Sequence, residues 1–122
     1  LMINTAMNNY SQYLISTTTF NHKNSEENSL SGDPIKGAGY LGFSGRLHSF
    51  QCALSDFKGN VYVQAAIVTS IPDEDDWFTI SKREFLEEES TVYIDSVPGN
   101  FVWIRGKAEI KKGSINSLLM NY

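Results

Sequence analysis

The chain has a single cysteine, Cys52, among 122 residues, which excludes an intrachain disulfide framework. A lone thiol favours assembly in a reducing compartment, the cytoplasm. No apolar run approaches the roughly 20 residues a membrane-crossing helix needs. The start also lacks the basic flank and apolar stretch of a secretory leader, so no membrane partner is expected. Basic charge is scarce: ten Lys and Arg, scattered along the chain, stand against fourteen Asp and Glu, for a formal charge of −4 and a pI near 5.0. That leaves no footprint for a phosphate backbone and removes nucleic acid as a partner. Histidine is limited to His22 and His48, which leaves few groups from which a catalytic base could be drawn.

What is present is ordinary globular material, 41% hydrophobic and 20% charged. A chain of this length buries about two-thirds of its unfolded surface, enough for one core. The expected organisation is an extended N-terminal arm over residues 1–10 and a single domain over 11–122. Aromatic residues make up 12%, mostly Phe and Tyr, and suit pleated, half-buried surfaces.

The clearest pattern runs from Gly45 to Ile80. Phe50, Cys52 and Leu54 alternate with Ser49, Gln51 and Ala53, and after Lys58-Gly59-Asn60 a second run, Val61 to Val68, keeps the two-residue period. Two such runs around a turn motif predict a β-hairpin. Apolar residues on both faces of the second run predict a sheet centre. Before it, Gln12 to Phe20 is a strand candidate, Asn21 to Asp33 is polar and predicts a long loop, and Gly37, Gly39 and Gly42 predict a kinked strand or sheet corner. After it, Pro72 stops the strand and Asp73-Glu74-Asp75-Asp76 leads into Trp77. Ser81 to Ser90 is compatible with loop, short helix or strand. Thr91 to Val97 reads as a strand, Pro98-Gly99-Asn100 as a turn, Phe101 to Ile110 as an apolar strand, Lys111-Lys112-Gly113 as a turn, and Ile115 to Met120 as a last strand. Short, regular spacing of turns predicts an all-β antiparallel sandwich or barrel of about seven to eight strands, and the expected fold class is the sandwich, jelly-roll-like.

No chemical site emerges. The glycine-rich stretch lacks the strand, helix and Gly-Lys-Ser/Thr context of a phosphate loop. The four carboxylates from Asp73 to Asp76 lack the alternating spacers, Gly and distal Glu of a Ca²⁺ loop, so they read as a solvated turn and no metal or cofactor is expected. His48 shares a face with Phe50 and reads as a packed or edge histidine, and Cys52 reads as a small buried apolar group. Four residues along a strand separate His48 from Cys52 by roughly 13 Å, too far for a dyad, and an enzyme is not expected. Tyr10, Tyr13, Tyr40, Tyr62, Trp77, Tyr93 and Trp103 are candidates for a sugar-stacking face, with core packing the better reading for Trp103. Met2, Ile3, Met7 and Met120, with the ends of the chain, read as apolar surface that neighbouring subunits could cover.

Phe57-Lys58-Gly59-Asn60-Val61-Tyr62-Val63-Gln64-Ala65, then Pro72 with Asp76-Trp77-Phe78, then Gly99-Asn100-Phe101-Val102-Trp103-Ile104-Arg105 resembles the small β-sandwich virion proteins of tailed bacteriophages. The resemblance covers Ser49 to Met120 and lies in core and turn residues. It implies a non-enzymatic structural component of a virion, in tail, baseplate, collar, fibre or capsid decoration, assembled in the host cytoplasm from copies of itself and other virion proteins. In that reading Phe50, Leu54, Val63, Ile67, Trp77, Phe101, Trp103 and Ile104 hold the core. Met2, Ile3 and Met7 in the arm, the loop Asn21 to Asp33, and Asp73, Glu74, Asp75 and Asp76 face partners or solvent, and Arg105 pairs with a carboxylate such as Asp56 or Asp76. Sandwiches of this logic also occur in carbohydrate-binding modules, so a surface glycan is the alternative partner.

Overall fold

A computed structural model describes residues 11–17 and 28–122. The N-terminal arm, with Met2, Ile3, Met7 and Tyr10, and the end of the first predicted strand lie outside them. The described residues form one antiparallel sheet of six strands. Three are short, β1 (Gln12–Ile15), β2 (Asn28–Ser31) and β3 (Ile35–Lys36), and three are long, β4 (Leu47–Ala66), β5 (Phe78–Pro98) and β6 (Trp103–Asn121). β4 lies between β5 and β6, and β6 offers its other edge to β3, β2 and β1 in turn. The fold class is all-β, as the turn spacing predicts.

The long strands replace the predicted hairpins. Lys58-Gly59-Asn60 is not a turn: Gly59 faces Phe85 on β5 and Ile110 on β6, and β4 runs on through it. Likewise Lys111-Lys112-Gly113 is a bend inside β6, so the stretch from Ile115 continues the same strand. Ser81 to Ser90 is the middle of β5. The polar loop predicted from Asn21 to Asp33 contains a strand, with Asn28 opposite Ile110 and Ser31 opposite Lys107. In each case the cause is the same. Glycine and polar clusters mark places where a backbone deviates, and a bend or an edge strand uses such residues as well as a turn does.

The bends fall on one line across the sheet. In β4 the inward residues are His48, Phe50, Cys52 and Leu54, then Phe57, Gly59, Val61, Val63 and Ala65. The parity changes at Ser55-Asp56, where Asp56 has φ +48°, a left-handed conformation that Asp tolerates better than most residues. Side chains hold this line. Asp56 N–H donates to Ser90 Oγ at 2.9 Å, and Asn116 Nδ2 donates to Ser55 Oγ at 2.9 Å. Beyond the line the two halves face each other. A Cβ on Gly106 would meet the side chains of Ile15 and Leu118 at 2.8 and 2.9 Å, so the absent side chain lets the halves approach.

The core between them includes Phe50, Cys52, Leu54, Phe57, Val61, Val63, Phe85, Phe101, Ile104, Ile110, Ile115, Leu118 and Met120. Each large apolar side chain so buried contributes about 1.5–3 kcal/mol through removal from water. Ile67, expected here, is 64% exposed. β4 ends at Ala66, whose carbonyl accepts from Val102 N–H at 3.1 Å, so the alternation stops one step before Ile67.

Candidate interaction surfaces

At the outer face of the second half, β6 presents Trp103 and Arg105, and both are buried although they point away from the main core. Two connecting segments cover them. A 3₁₀ turn, Ala38–Leu41, brings Tyr40 edge-on to Trp103 at 5.2 Å, and Trp103 Nε1 donates to the Val68 carbonyl at 3.1 Å. The turn Glu74–Asp76 covers Arg105. The Arg105 guanidinium donates to Gln64 Oε1 at 2.8 Å and to both Glu74 oxygens at 3.2 and 2.6 Å, and it lies 4.5 Å from the Trp77 ring centre. This explains why Phe101 to Arg105 reads as apolar on both faces: one side meets the core and the other meets covering turns.

The acidic turn is therefore partly structural. The sequence expectation paired Arg105 with Asp56 or Asp76, whereas the partner is Glu74, which the guanidinium holds below the usual carboxylate range. Asp76 accepts from the Asp73 N–H at 2.7 Å and so closes the turn, while Asp73 and Asp75 are exposed. Trp77 is half-buried on this outer face rather than in the core, because Phe78 begins β5 after the turn and leaves the indole to stack on Arg105. Phe50, Leu54, Val63, Phe101 and Ile104 lie in the core cluster.

His48 and Cys52 are both buried. His48 Nε2 lies 3.1 Å from the Ala38 N–H, and Nδ1 lies 2.9 Å from the Arg46 carbonyl. A backbone N–H can only donate and a carbonyl can only accept, so the ring is neutral with its proton on Nδ1. Phe101 and Tyr122 pack against it at 5.1 and 5.2 Å. Burial, aided by the Arg46 charge, lowers its pKa. Below pH about 6.5 the unfolded chain takes up a proton that the folded ring resists, so stability is full above that pH and falls as pH drops toward the folded value. Urea midpoints are expected to decline between about pH 7 and 5.5 in the wild type and to stay level in His48→Gln, whose amide can keep both bonds. An equal decline in both would show that His48 is not the group responsible. Cys52, beside the Tyr93 hydroxyl, has its thiol pushed up to about 11 by burial, which makes it a poor nucleophile.

The other rings are dispersed. Tyr13 is exposed on the outer face of the first half. Tyr62 lies on the outer face of the second half between Lys82 and Lys107, and its hydroxyl donates to Glu109 at 2.5 Å. Tyr93 turns inward beside Phe85, with the Arg83 guanidinium 4.4 Å from its ring centre. Arg83 bridges the halves by donating to Asp95 at 2.8 and 3.2 Å, and it holds the Asp95 carboxyl low. Among the described residues no group of three or more His, Cys, Asp or Glu could hold a metal, and no helix is long and apolar enough to cross a membrane.

Two surfaces were not singled out by sequence. One is the outer edge of β5, 21 residues long, which pairs with no strand among the described residues. The other is a row across the first half, Tyr13–Leu119–Gln51–Ile94, fixed by register, with Val92 on the neighbouring row. Tyr13, Ile94 and Val92 are 61%, 61% and 59% exposed. Alternation shows that Val92 and Ile94 share a face, but the inward face is taken by Tyr93 and Asp95. Comparison with protein-family models, with curated proteins and with solved structures returns no match to this chain.

Proposed function

We propose that this chain is a non-enzymatic structural component of a bacteriophage virion, acting by assembly with copies of itself and with other virion proteins. The folded-over sheet is read as a sandwich of jelly-roll type, its long strands each contributing to both layers. The observation that carries the reading is the edge of β5, which takes no strand among the described residues, beside exposed Val92 and Ile94. Unpaired backbone groups along a long edge are a template for another chain, and surface apolar rows of this kind mark contacts between proteins. The groups a reaction would need are engaged in structure: His48 and Cys52 in the core, Arg105 and Glu74 in a covering turn, Arg83 and Asp95 in a bridge. The virion setting comes from the resemblance of residues 57–105 to phage sandwich proteins.

The test is the mass in solution by light scattering, together with copurification of the tagged chain with phage particles. A fixed oligomer that travels with particles is the expected result. A monomer that stays off particles and shifts on glycan titration would replace this reading with a carbohydrate-binding module.

A further inference from the structure

We propose that residues 90–96 of the β5 edge pair with the same residues of a second copy, antiparallel, about a two-fold axis at Tyr93. This rests on the assembly reading above and specifies one of its contacts. An edge strand that continues a neighbour's sheet gains a ladder of backbone hydrogen bonds, and a two-fold axis makes the same patch serve both subunits.

Charge selects the segment. From residue 82 to 89 the edge carries Lys82, Arg83, Glu84, Glu87, Glu88 and Glu89. An axis normal to the sheet keeps outward faces outward, so it must lie between the two copies of one residue, and residues equally far on either side become opposite. Centring on Glu84, Glu87, Glu88 or Glu89 opposes that glutamate to itself, and centring on Leu86 opposes Glu84 to Glu88. Centring on Phe85 would set Lys82 and Arg83 against glutamates, but it lays a straight half of β5 along the bend and competes with the Arg83–Asp95 and Lys112–Glu88 pairs. From residue 90 to 98 the only charged side chain is Asp95, already compensated by Arg83.

Charge and apolar contact then select the register. Centring on Asp95 sets two carboxylates face to face, and centring on Val92 sets Glu89 against Asp95. Centring on Ile94 opposes no charges but leaves Val92 against a serine. Centring on Tyr93 places Val92 of each copy directly opposite Ile94 of the other, giving two β-branched pairs on the outward face. The row Tyr13–Leu119–Gln51–Ile94 then continues into the second copy.

Sedimentation of the wild type and of Val92→Lys with Ile94→Lys tests this. Both positions are solvent-facing, so the variant should keep its circular dichroism while its dimer dissociation constant rises at least ~30-fold. Val92→Cys mixed with Ile94→Cys should give a covalent dimer under mild oxidation, with buried Cys52 silent. Covalent dimer from Ile94→Cys alone would overturn the Tyr93 axis. Unchanged association of the folded lysine variant would overturn this edge as the contact while leaving self-assembly standing. A monomeric wild type that still enters particles would overturn self-pairing alone. A wild type that neither self-associates nor enters particles would overturn both readings.

Discussion

Gly59→Ala is expected to cost on the order of 4 kcal/mol, most of what a marginally stable domain can spare. Gly59 sits in β4 at φ +142°, a region open only to glycine. A Cβ there would lie 2.0 Å from the Glu109 carbonyl oxygen and 3.1 Å from its carbon. The obstruction is backbone of the adjacent strand β6, which cannot rotate aside as a side chain could. Relief would require opening the β4–β6 ladder beside Ile110. Gly42→Ala provides the control, since Gly42 also has positive φ, +89°, but nothing lies within 4 Å of its would-be Cβ. It should lose about 1 kcal/mol, the conformational part alone. Thermal melts of the two should therefore differ by more than about 10 °C. A Gly59→Ala melt close to that of Gly42→Ala would mean that β6 yields at this point and the close approach is not obligatory.

Phe57→Ala should lose about 3–5 kcal/mol, the range for truncating a buried aromatic that leaves a cavity. Phe57 is fully buried and meets Phe85 edge-on at 5.7 Å. It is the first inward residue after the parity change, so no neighbour in its own strand can move in to fill the space. Urea unfolding of Phe57→Ala, Phe85→Ala and the double variant would give the loss and a coupling of about 0.5–1.5 kcal/mol between the rings. A loss below about 1 kcal/mol would place Phe57 outside the core.

These two residues show what the sequence disclosed and what it hid. The all-β class was legible because alternation at Phe50, Cys52 and Leu54 and again at Val61, Val63 and Ala65 is a local property of each half-strand. The joint between them was not. Lys58-Gly59-Asn60 has the composition of a hairpin turn, and only the partners on either side, Phe85 and Ile110, decide that the chain continues instead. Phe57 escaped the expected core because its parity belongs to the second half, and the change occurs at Asp56 through a backbone angle that composition does not encode. Ile67 erred in the opposite direction: its parity was right, but the strand had ended. For the surfaces, pattern identified Val92 and Ile94 as companions, while the face they occupy depends on Arg83 reaching Asp95 from the other half of β5. That is a long-range fact, as is the choice of Glu74 over Asp76 by Arg105.

The position of β6 also sets the order in which the molecule can form. β1, β2, β3 and β4 all take partners on β6, the last of the described strands, and among these strands only the β4–β5 pair can form without it. Until residues 103–121 arrive, β4 has an open edge of its own beside that of β5, and the three short strands have nothing to bind. Closure over such long sequence separations is slow, in the millisecond-to-second range typical of non-local β folds. A ribosome-bound intermediate would therefore expose two long edges at once, and the arrival of β6 removes the one on β4, while that of β5 takes no strand among the described residues.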